Sequence, residues 1–193
     1  MKKIFLVIAL IVSVKFISAQ TLQQLASQRI HLPNGWSLTP VGKSITVGDL
    51  PLNMALSSTQ KYMAVTNNGQ STQTIQLIDV QKEKVLDNIV IPKSWVGLKF
   101  SANEKYLYAS GGNDNWILKY AIINQKLILN DSIKLGDKWP VKISPTGIDI
   151  NDATQTLYVV TKDNNSLYVI DLVSKKINQQ IQLPGEAYAC LLS

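Results

Sequence analysis

The chain has few of the residues on which most catalytic sites depend. Its 193 residues include a single cysteine, Cys190, a single histidine, His31, and a single arginine, Arg29. One cysteine excludes an intrachain disulfide, so stability must come from packing. One histidine, near the N-terminus, excludes a histidine-based triad or haem ligand on the rest of the chain. Arginine is likewise lacking beyond residue 29, which excludes a bidentate arginine clamp for phosphate there.

Charged residues are also scarce, at 17% of the chain, whereas 46% of it is apolar. This composition excludes a disordered chain, and the length is sufficient for one domain with a sizeable core. Residues 1–19 contain three of the lysines and no acid, so without them the formal net charge falls from +6 to +3. The remaining positive charge is weak and scattered, and we therefore expect no nucleic acid partner.

The N-terminus has the pattern of a secretory signal peptide. Two lysines precede an apolar run from Ile4 to Val14, and small residues lead to Ala19. Lys15 interrupts the run well short of the roughly 20 apolar residues that a membrane span requires, which favours a signal peptide over the alternative, a membrane anchor. We expect cleavage after Ala19, a secreted or periplasmic protein, and no stable membrane span after cleavage.

Three copies of one β pattern follow each other along the chain. Each copy contains a strand, a polar turn, a second strand and a turn rich in lysine, and the first strands of the copies begin at Tyr62, Tyr106 and Leu157. Equivalent positions are 44 and 50 residues apart, as at Ala64, Tyr108 and Tyr158. A period in the forties with four short strands per unit is typical of propeller blades. Alternation of apolar and polar residues is imperfect, as expected when both faces of a blade are buried.

The repeat predicts an all-β fold, an incomplete arc of a β-propeller with about seven or eight blades when complete. We expect an N-terminal arm over residues 20–35 and a partial propeller over 36–193, with whole blades at 50–93, 94–137 and 138–186. Two short strands about a turn at residues 40–42, within 36–49, would be the outer strands of a closing blade. Residues 187–193 would begin the next blade. The chain then looks like the front of a longer protein, with an exposed strand edge at each end.

Two of the copies contain a short motif of a known repeat. Ala64-Val-Thr-Asn67 and Tyr158-Val-Val-Thr161 resemble the Tyr-Val-Thr-Asn signature of the YVTN β-propeller repeats, the YncE-like and lactonase-like group. The middle copy, Tyr108-Ala-Ser-Gly111, departs from this signature. The resemblance covers about residues 36 to 193, and it implies a blade type rather than a reaction.

Four longer segments resemble the propeller half of secreted bacterial proteins that have a phosphoesterase domain of the alkaline-phosphatase superfamily downstream. They are residues 32–36, 48–55, 93–97 and 110–115. This resemblance implies a binding or scaffold module whose partner is the downstream domain of the same polypeptide. No metal-ligand motif of that domain occurs here, so no catalytic residue is assigned to this chain, and the activity of a longer parent stays open. The alternative implied by the YVTN group is a lactonase-like, metal-dependent hydrolase.

In a propeller, the loops that join the second and third strands of each blade lie on the same face as the loops that join successive blades. The candidate site residues lie in these loops. They are Trp95, Trp139, Tyr188, Asn113, Asp114, Asp163 and Asn164. Such a face suits a small polar ligand or a partner loop. The alternative is that turns favour asparagine and aspartate, and that the aromatic residues fill gaps between blades. Trp139 and Gly147 are eight residues apart in the sequence, whereas Trp95 and Gly97 are two apart. The six additional residues indicate an insertion at residues 141–146 on this face.

No cofactor is evident from any motif. Asp149 and Glu186 could line the axial channel and bind a divalent metal, with Asn53 or Asn151 nearby, but no spacing in the sequence identifies such a site. Calcium binding by Asp114 and Asp163 has equally little support, because two carboxylates on different blades do not form a calcium loop.

Overall fold

The computed structural model describes residues 22–27, 29–39 and 43–192. The expected signal peptide and the expected turn at residues 40–42 lie outside these residues. The chain divides into two units, Met1–Ser44 and Ile45–Ser193. In the first, helix α1 (Leu22–Ser27) precedes strands β1 (Ile30–His31) and β2 (Ser37–Leu38), which pair antiparallel. No helix in the described part of the chain is long and apolar enough to cross a membrane.

The pairing of β2 differs from the expected pair of outer strands. β2 pairs with β1, in the stretch expected to be an arm, and residues 43–48 form no strand. An extended segment becomes a strand only when a neighbouring strand accepts and donates its backbone hydrogen bonds. The strand that follows residues 43–48 pairs with its own sheet instead, so they have no such neighbour within the described chain.

Residues 45–192 form three four-stranded antiparallel sheets in which successive strands are neighbours. Blade 1 comprises β3 (Pro51–Leu56), β4 (Tyr62–Asn67), β5 (Thr74–Asp79) and β6 (Lys84–Val90). Blade 2 comprises β7 (Leu98–Phe100), β8 (Tyr106–Ser110), β9 (Trp116–Ile123) and β10 (Lys126–Lys134). Blade 3 comprises β11 (Pro145–Asn151), β12 (Thr156–Thr161), β13 (Ser166–Asp171) and β14 (Ile177–Gln182). β7 contacts both β3 and β11, so the first strands lie side by side at the inner edge of an arc.

The turn between the first two strands of each blade depends on one side chain. Ser57 N donates to Tyr62 O at 2.8 Å, and Tyr62 N donates to Ser57 Oγ at 3.0 Å. Ser101 makes the same two bonds with Tyr106, at 3.0 and 3.1 Å. Asn151 takes this place in blade 3, where its Oδ1 accepts from backbone amides of its own turn. Small hydrogen-bonding side chains at this position therefore set the register of each hairpin.

The core consists of two apolar layers, each between neighbouring blades. Along β8, Leu107 and Ala109 belong to the layer shared with blade 1, whereas Tyr108 belongs to the layer shared with blade 3. Leu107 is fully buried, which contributes roughly 1.5–3 kcal/mol to folding. Because both faces of this blade are covered, its strands cannot show strict alternation of apolar and polar residues.

The lysine-rich turns of the repeat make ionic contacts between blades at the outer edge. Lys126 Nζ of blade 2 lies 3.7 Å from Asp87 Oδ1 of blade 1, and Leu127 N donates to Asp87 Oδ2 at 2.8 Å. Lys175 Nζ of blade 3 lies 2.7 Å from Asp131 Oδ2 of blade 2. The lysines are 64% and 48% exposed, so each pair stabilises by less than about 1 kcal/mol. Their main effect is to align neighbouring blades.

Gly97 marks a close approach of two blades and gives a test of their packing. A Cβ there would collide with the backbone oxygen of Thr146 in the next blade, whereas a Cβ at Gly185 would meet nothing within 4 Å. We expect Gly97→Ala to lower the free energy of unfolding by about 3 kcal/mol or more, and Gly185→Ala to change it by less than about 0.5 kcal/mol. Urea unfolding measures both. Equal midpoints for the two variants would contradict the packing of blade 2 on blade 3.

Candidate functional site

Loops of each blade meet at one end of the arc. In blade 1, Ser94 N donates to Gln73 Oε1 at 2.9 Å, and Ser94 Oγ donates to Asn68 Oδ1 at 3.0 Å. In blade 3, Leu183 N donates to Asn165 O at 2.7 Å. These bonds join loops between second and third strands to loops between blades. We call this end the loop face; it comprises residues 68–73, 91–97, 111–115, 135–144, 162–165 and 183–190.

Asn115 anchors the connecting loop at residues 135–144. Its side chain is fully buried, its Nδ2 donates to Asp137 O at 2.6 Å and to Val141 O at 2.7 Å, and its Oδ1 accepts from Ser144 N at 2.8 Å. Both amide donors and the acceptor are thus used on one loop. The sequence alone does not single out Asn115, because turn propensity already explains an asparagine with a left-handed φ of 57°.

The extra residues of this loop lie earlier in the chain than expected. Thr146, expected within the insertion, belongs to β11, and its Oγ1 lies 3.0 Å from Val160 O and 2.6 Å from Ala187 O. The longer connection therefore ends at Ser144. Both tryptophans precede the first strand of a blade, but Trp139 lies six residues before β11 and Trp95 three residues before β7, so they are not at equivalent positions.

Ser144 brings two of the expected site residues together. Its Oγ lies 3.0 Å from Asn113 Oδ1 and 2.6 Å from Asp163 Oδ2, and these loops belong to different blades. Ser144 is buried with a left-handed φ of 52°, a conformation that serine rarely adopts. One hydroxyl has one proton and can donate to only one of the two oxygens. Hydrogen-bonding capacity therefore remains at Asn113, which is exposed, and at Asp163, whose side chain is 22% exposed.

Asp114 and Asn164 do not join this group. Asp114 Oδ2 lies 3.5 Å from Lys138 Nζ, which also lies 4.5 Å from the centre of the Trp116 ring. Asn164 Nδ2 donates to Tyr168 Oη at 2.7 Å, and its Oδ1 accepts from Thr161 Oγ1. Asp114 thus balances the charge of a lysine, and Asn164 stabilises its own turn.

The three expected aromatic residues have different surroundings. Trp139 is 59% exposed and Tyr188 is 48% exposed, whereas Trp95 is half-buried. The Trp95 indole N–H is buried and has no hydrogen-bond partner within the described chain. Tyr188 Oη donates to Glu186 Oε2 at 3.0 Å, and this hydrogen bond raises the pKa of Tyr188. Trp139 and Tyr188 are therefore the expected aromatic residues that present their rings to solvent.

A cavity of about 280 Å³ lies at the inner edge of the loop face. It is lined by residues 52–53 of β3, Leu98 of β7 and residues 147–148 of β11, together with residues 96–97 and 188–190 of the loop face. Asn53 is among the lining residues, and its Nδ2 donates to Val96 O. Burial raises the pKa of the Cys190 thiol to about 11. A thiol with this pKa stays protonated at neutral pH, so Cys190 is a poor nucleophile here.

The two acids that could line the axial channel, Asp149 and Glu186, each bind a different partner. Asp149 is buried, its Oδ1 lies 2.7 Å from Lys99 Nζ, and its Oδ2 accepts from Leu192 N at 2.9 Å. Glu186 contacts Tyr188 instead, as described above, and Asn151 caps its own turn. Among the residues that the structure describes, no three histidine, cysteine or acidic side chains form a cluster that could hold a metal ion.

The Lys99–Asp149 ion pair gives a pH-dependent prediction. Burial tends to raise the pKa of Asp149, but the hydrogen bonds and charge from Lys99 and two backbone amides outweigh it, so the pKa is lowered. A lowered pKa means that this carboxylate stabilises the fold fully above its unfolded pKa of about 3.9, and that this stability is lost as the pH falls through the folded value. Between about pH 6 and pH 3, the wild type should lose more unfolding free energy than Asp149→Asn in urea titrations. Parallel losses would show that this pair contributes nothing to acid stability.

No protein-family model and no curated protein sequence matches the chain. Solved structures do resemble it. A functionally unknown protein from Desulfotomaculum acetoxidans superposes with a TM-score of 0.62 and 13% identity, over 74% of this chain and 45% of that protein. Hydrazine synthase from Kuenenia stuttgartiensis gives a TM-score of 0.61 and 18% identity, over 77% of this chain and 40% of that one. The β-propeller domain of Cps50 (Swd1) from Myceliophteria thermophila superposes with a TM-score of 0.58 and 11% identity, over 72% of this chain and 43% of that one.

These similarities establish the fold. The chain is an all-β protein with the β-propeller fold, and the predicted fold class is confirmed. At identities below one fifth the similarities extend to the fold alone. The chain spans about two fifths of the length of these proteins.

Proposed function

We propose that this chain is a binding module of the YVTN propeller type, and that its loop face binds a small polar ligand or a partner loop. The observation that supports this proposal is the position of Ser144, which contacts Asn113 of one blade and Asp163 of the next. Two polar side chains from separate blades, each reached by solvent, thereby lie within a few ångströms of each other. Convergent polar groups on a rigid scaffold are the usual basis of ligand specificity.

The opposite end of the arc is a weaker candidate, because its acids already bind neighbouring blades. Glu104 of blade 2 accepts from Thr59 N at 2.5 Å and from Ser58 Oγ at 2.9 Å, both in blade 1. Asp152 of blade 3 accepts from Ala102 N of blade 2 at 2.7 Å. These carboxylates hold the blades together and have less capacity left for a ligand.

We propose further that the protein is secreted, and that the propeller precedes a phosphoesterase domain in a longer polypeptide. The support is the N-terminal apolar run with its basic start, together with the resemblance at residues 32–36, 48–55, 93–97 and 110–115. The lactonase-like alternative is less well supported. A metal ion at Asp149 would have to displace Lys99, whose ammonium group lies 2.7 Å from the carboxylate.

A photo-crosslinking amino acid tests the role of the loop face. Placed at Lys142, within the loop at residues 135–144, it should capture a ligand or partner in the cells that make the protein, because this position is exposed on the loop face. The matched control is Lys105, which is also exposed but lies at the opposite end of the arc. Gels and intact mass measurements detect the adducts. Equal capture at both positions, or none at Lys142, would refute a binding role for the loop face.

Secretion has its own test. The mature protein is expected to begin at Gln20, because small residues at the end of the apolar run direct cleavage after Ala19. Ala19→Arg should leave an uncleaved precursor. Mass spectrometry of the exported fraction reads the N-terminus directly. Wild-type protein that keeps Met1 and stays in the cytoplasm would rule out a cleaved signal.

A further inference from the structure

We infer that Trp139, Asn113 and Asp163 form a platform for a neutral carbohydrate. In this arrangement a sugar ring stacks on the Trp139 indole, and its hydroxyl groups bond to Asn113 and Asp163. The inference rests on the proposed function of the loop face, to which it adds the chemical class of the ligand.

The platform is held rigidly by buried groups. Trp139 N donates to Asn113 O at 3.1 Å, so the tryptophan and the asparagine are directly joined. Asn115 binds the backbone on both sides of Trp139, at Asp137 and Val141. Ile143, at the end of the same loop, is 8% exposed and packs in the core between blades 2 and 3. A loop fixed before binding loses little conformational entropy when a ligand arrives.

This rigid loop presents an aromatic ring to water. Trp139 is 59% exposed, and Val141 beside it is 43% exposed, although burial of both would favour folding. Tryptophan is among the residue types that most often dominate the binding energy of protein interfaces. Sugars present apolar C–H groups on one face of the ring and hydroxyl groups around its edge. They therefore match an indole with polar groups beside it.

The local charges favour a neutral ligand over an ion. Asp114 lies 3.5 Å from Lys138, and Asp163 lies 3.7 Å from Lys162, so these charges occur in opposite pairs. An anion that replaced the sugar at the Asp163 carboxylate, whose side chain is 22% exposed, would be repelled by its charge. A cation stacked on the indole would be repelled by Lys142, whose Nζ lies 5.5 Å from the centre of the Trp139 ring. A neutral polyhydroxyl ligand meets neither repulsion, and each of its hydroxyl groups can donate to Asp163 or accept from the Asn113 amide.

Saccharide titrations of the purified chain test the inference. The probes are cellohexaose, mannohexaose and chitohexaose, with a heparin hexasaccharide as the anionic comparison, followed by tryptophan fluorescence and calorimetry. We expect saturable binding of at least one neutral hexasaccharide. Trp139→Ala should weaken it at least about tenfold, whereas Trp36→Ala, which removes another exposed tryptophan, at 74% exposure, should change it less than about twofold.

A second variant separates recognition from folding. Asp163→Asn keeps the size of the side chain but removes its charge, and it should weaken binding several-fold without lowering the melting temperature. The inference is overturned if no neutral hexasaccharide binds, if only heparin binds, or if Trp36→Ala and Trp139→Ala weaken binding equally. Capture of a different ligand from position 142, with no saccharide binding, would refute the carbohydrate and leave the loop face as a binding surface. If position 142 captures nothing and no saccharide binds, both the binding role of the loop face and the carbohydrate ligand are refuted.

Discussion

No blade of this propeller can bury its apolar side chains alone, because they project from both faces of its sheet. Along β8, Leu107 and Ala109 point to one neighbour and Tyr108 to the other. Each blade is therefore stable only in contact with the next, and the remaining features of the arc follow from this requirement. On the outward side of blade 1, Leu52, Met54 and Leu56 lie along its first strand, β3, and are 39%, 66% and 49% exposed.

Contact between blades restricts the positions at which the chain can vary. Gly97 must stay small because the next blade passes directly over it, and the acidic and lysine residues at the outer edge fix how neighbouring sheets align. The connecting loops face fewer restrictions, because they need only span the gap between the last strand of one blade and the first strand of the next. The largest differences in length between repeats are found in these loops. The connecting loop at residues 135–144 contains Trp139, and its Ser144 contacts Asn113 and Asp163 in other loops.

The sequence predicts the fold well because the repeat is a local signal. Spacings of 44 and 50 residues between Ala64, Tyr108 and Tyr158 are sufficient to define three blades, and the lysine turns appear at equivalent places. The pairing of β2 could not be predicted, since a two-residue strand carries almost no pattern and its partner depends on what lies nearby. Asn113 and Asp163 could be chosen as candidates from composition. Asn115 and Ser144 could not, because their importance depends on which loop of another blade lies against them.

The way Asn115 holds its loop separates the anchoring of the backbone from the identity of the side chains at the tip. All three of its side-chain bonds go to backbone atoms, at Asp137, Val141 and Ser144, and none goes to the side chains at the tip. The side chains at residues 138–142 can therefore be exchanged without removing a bond to Asn115, although exchange of Lys138 removes its ion pair with Asp114. The backbone of this loop is therefore fixed from inside the fold, while the side chains at its tip are free to differ.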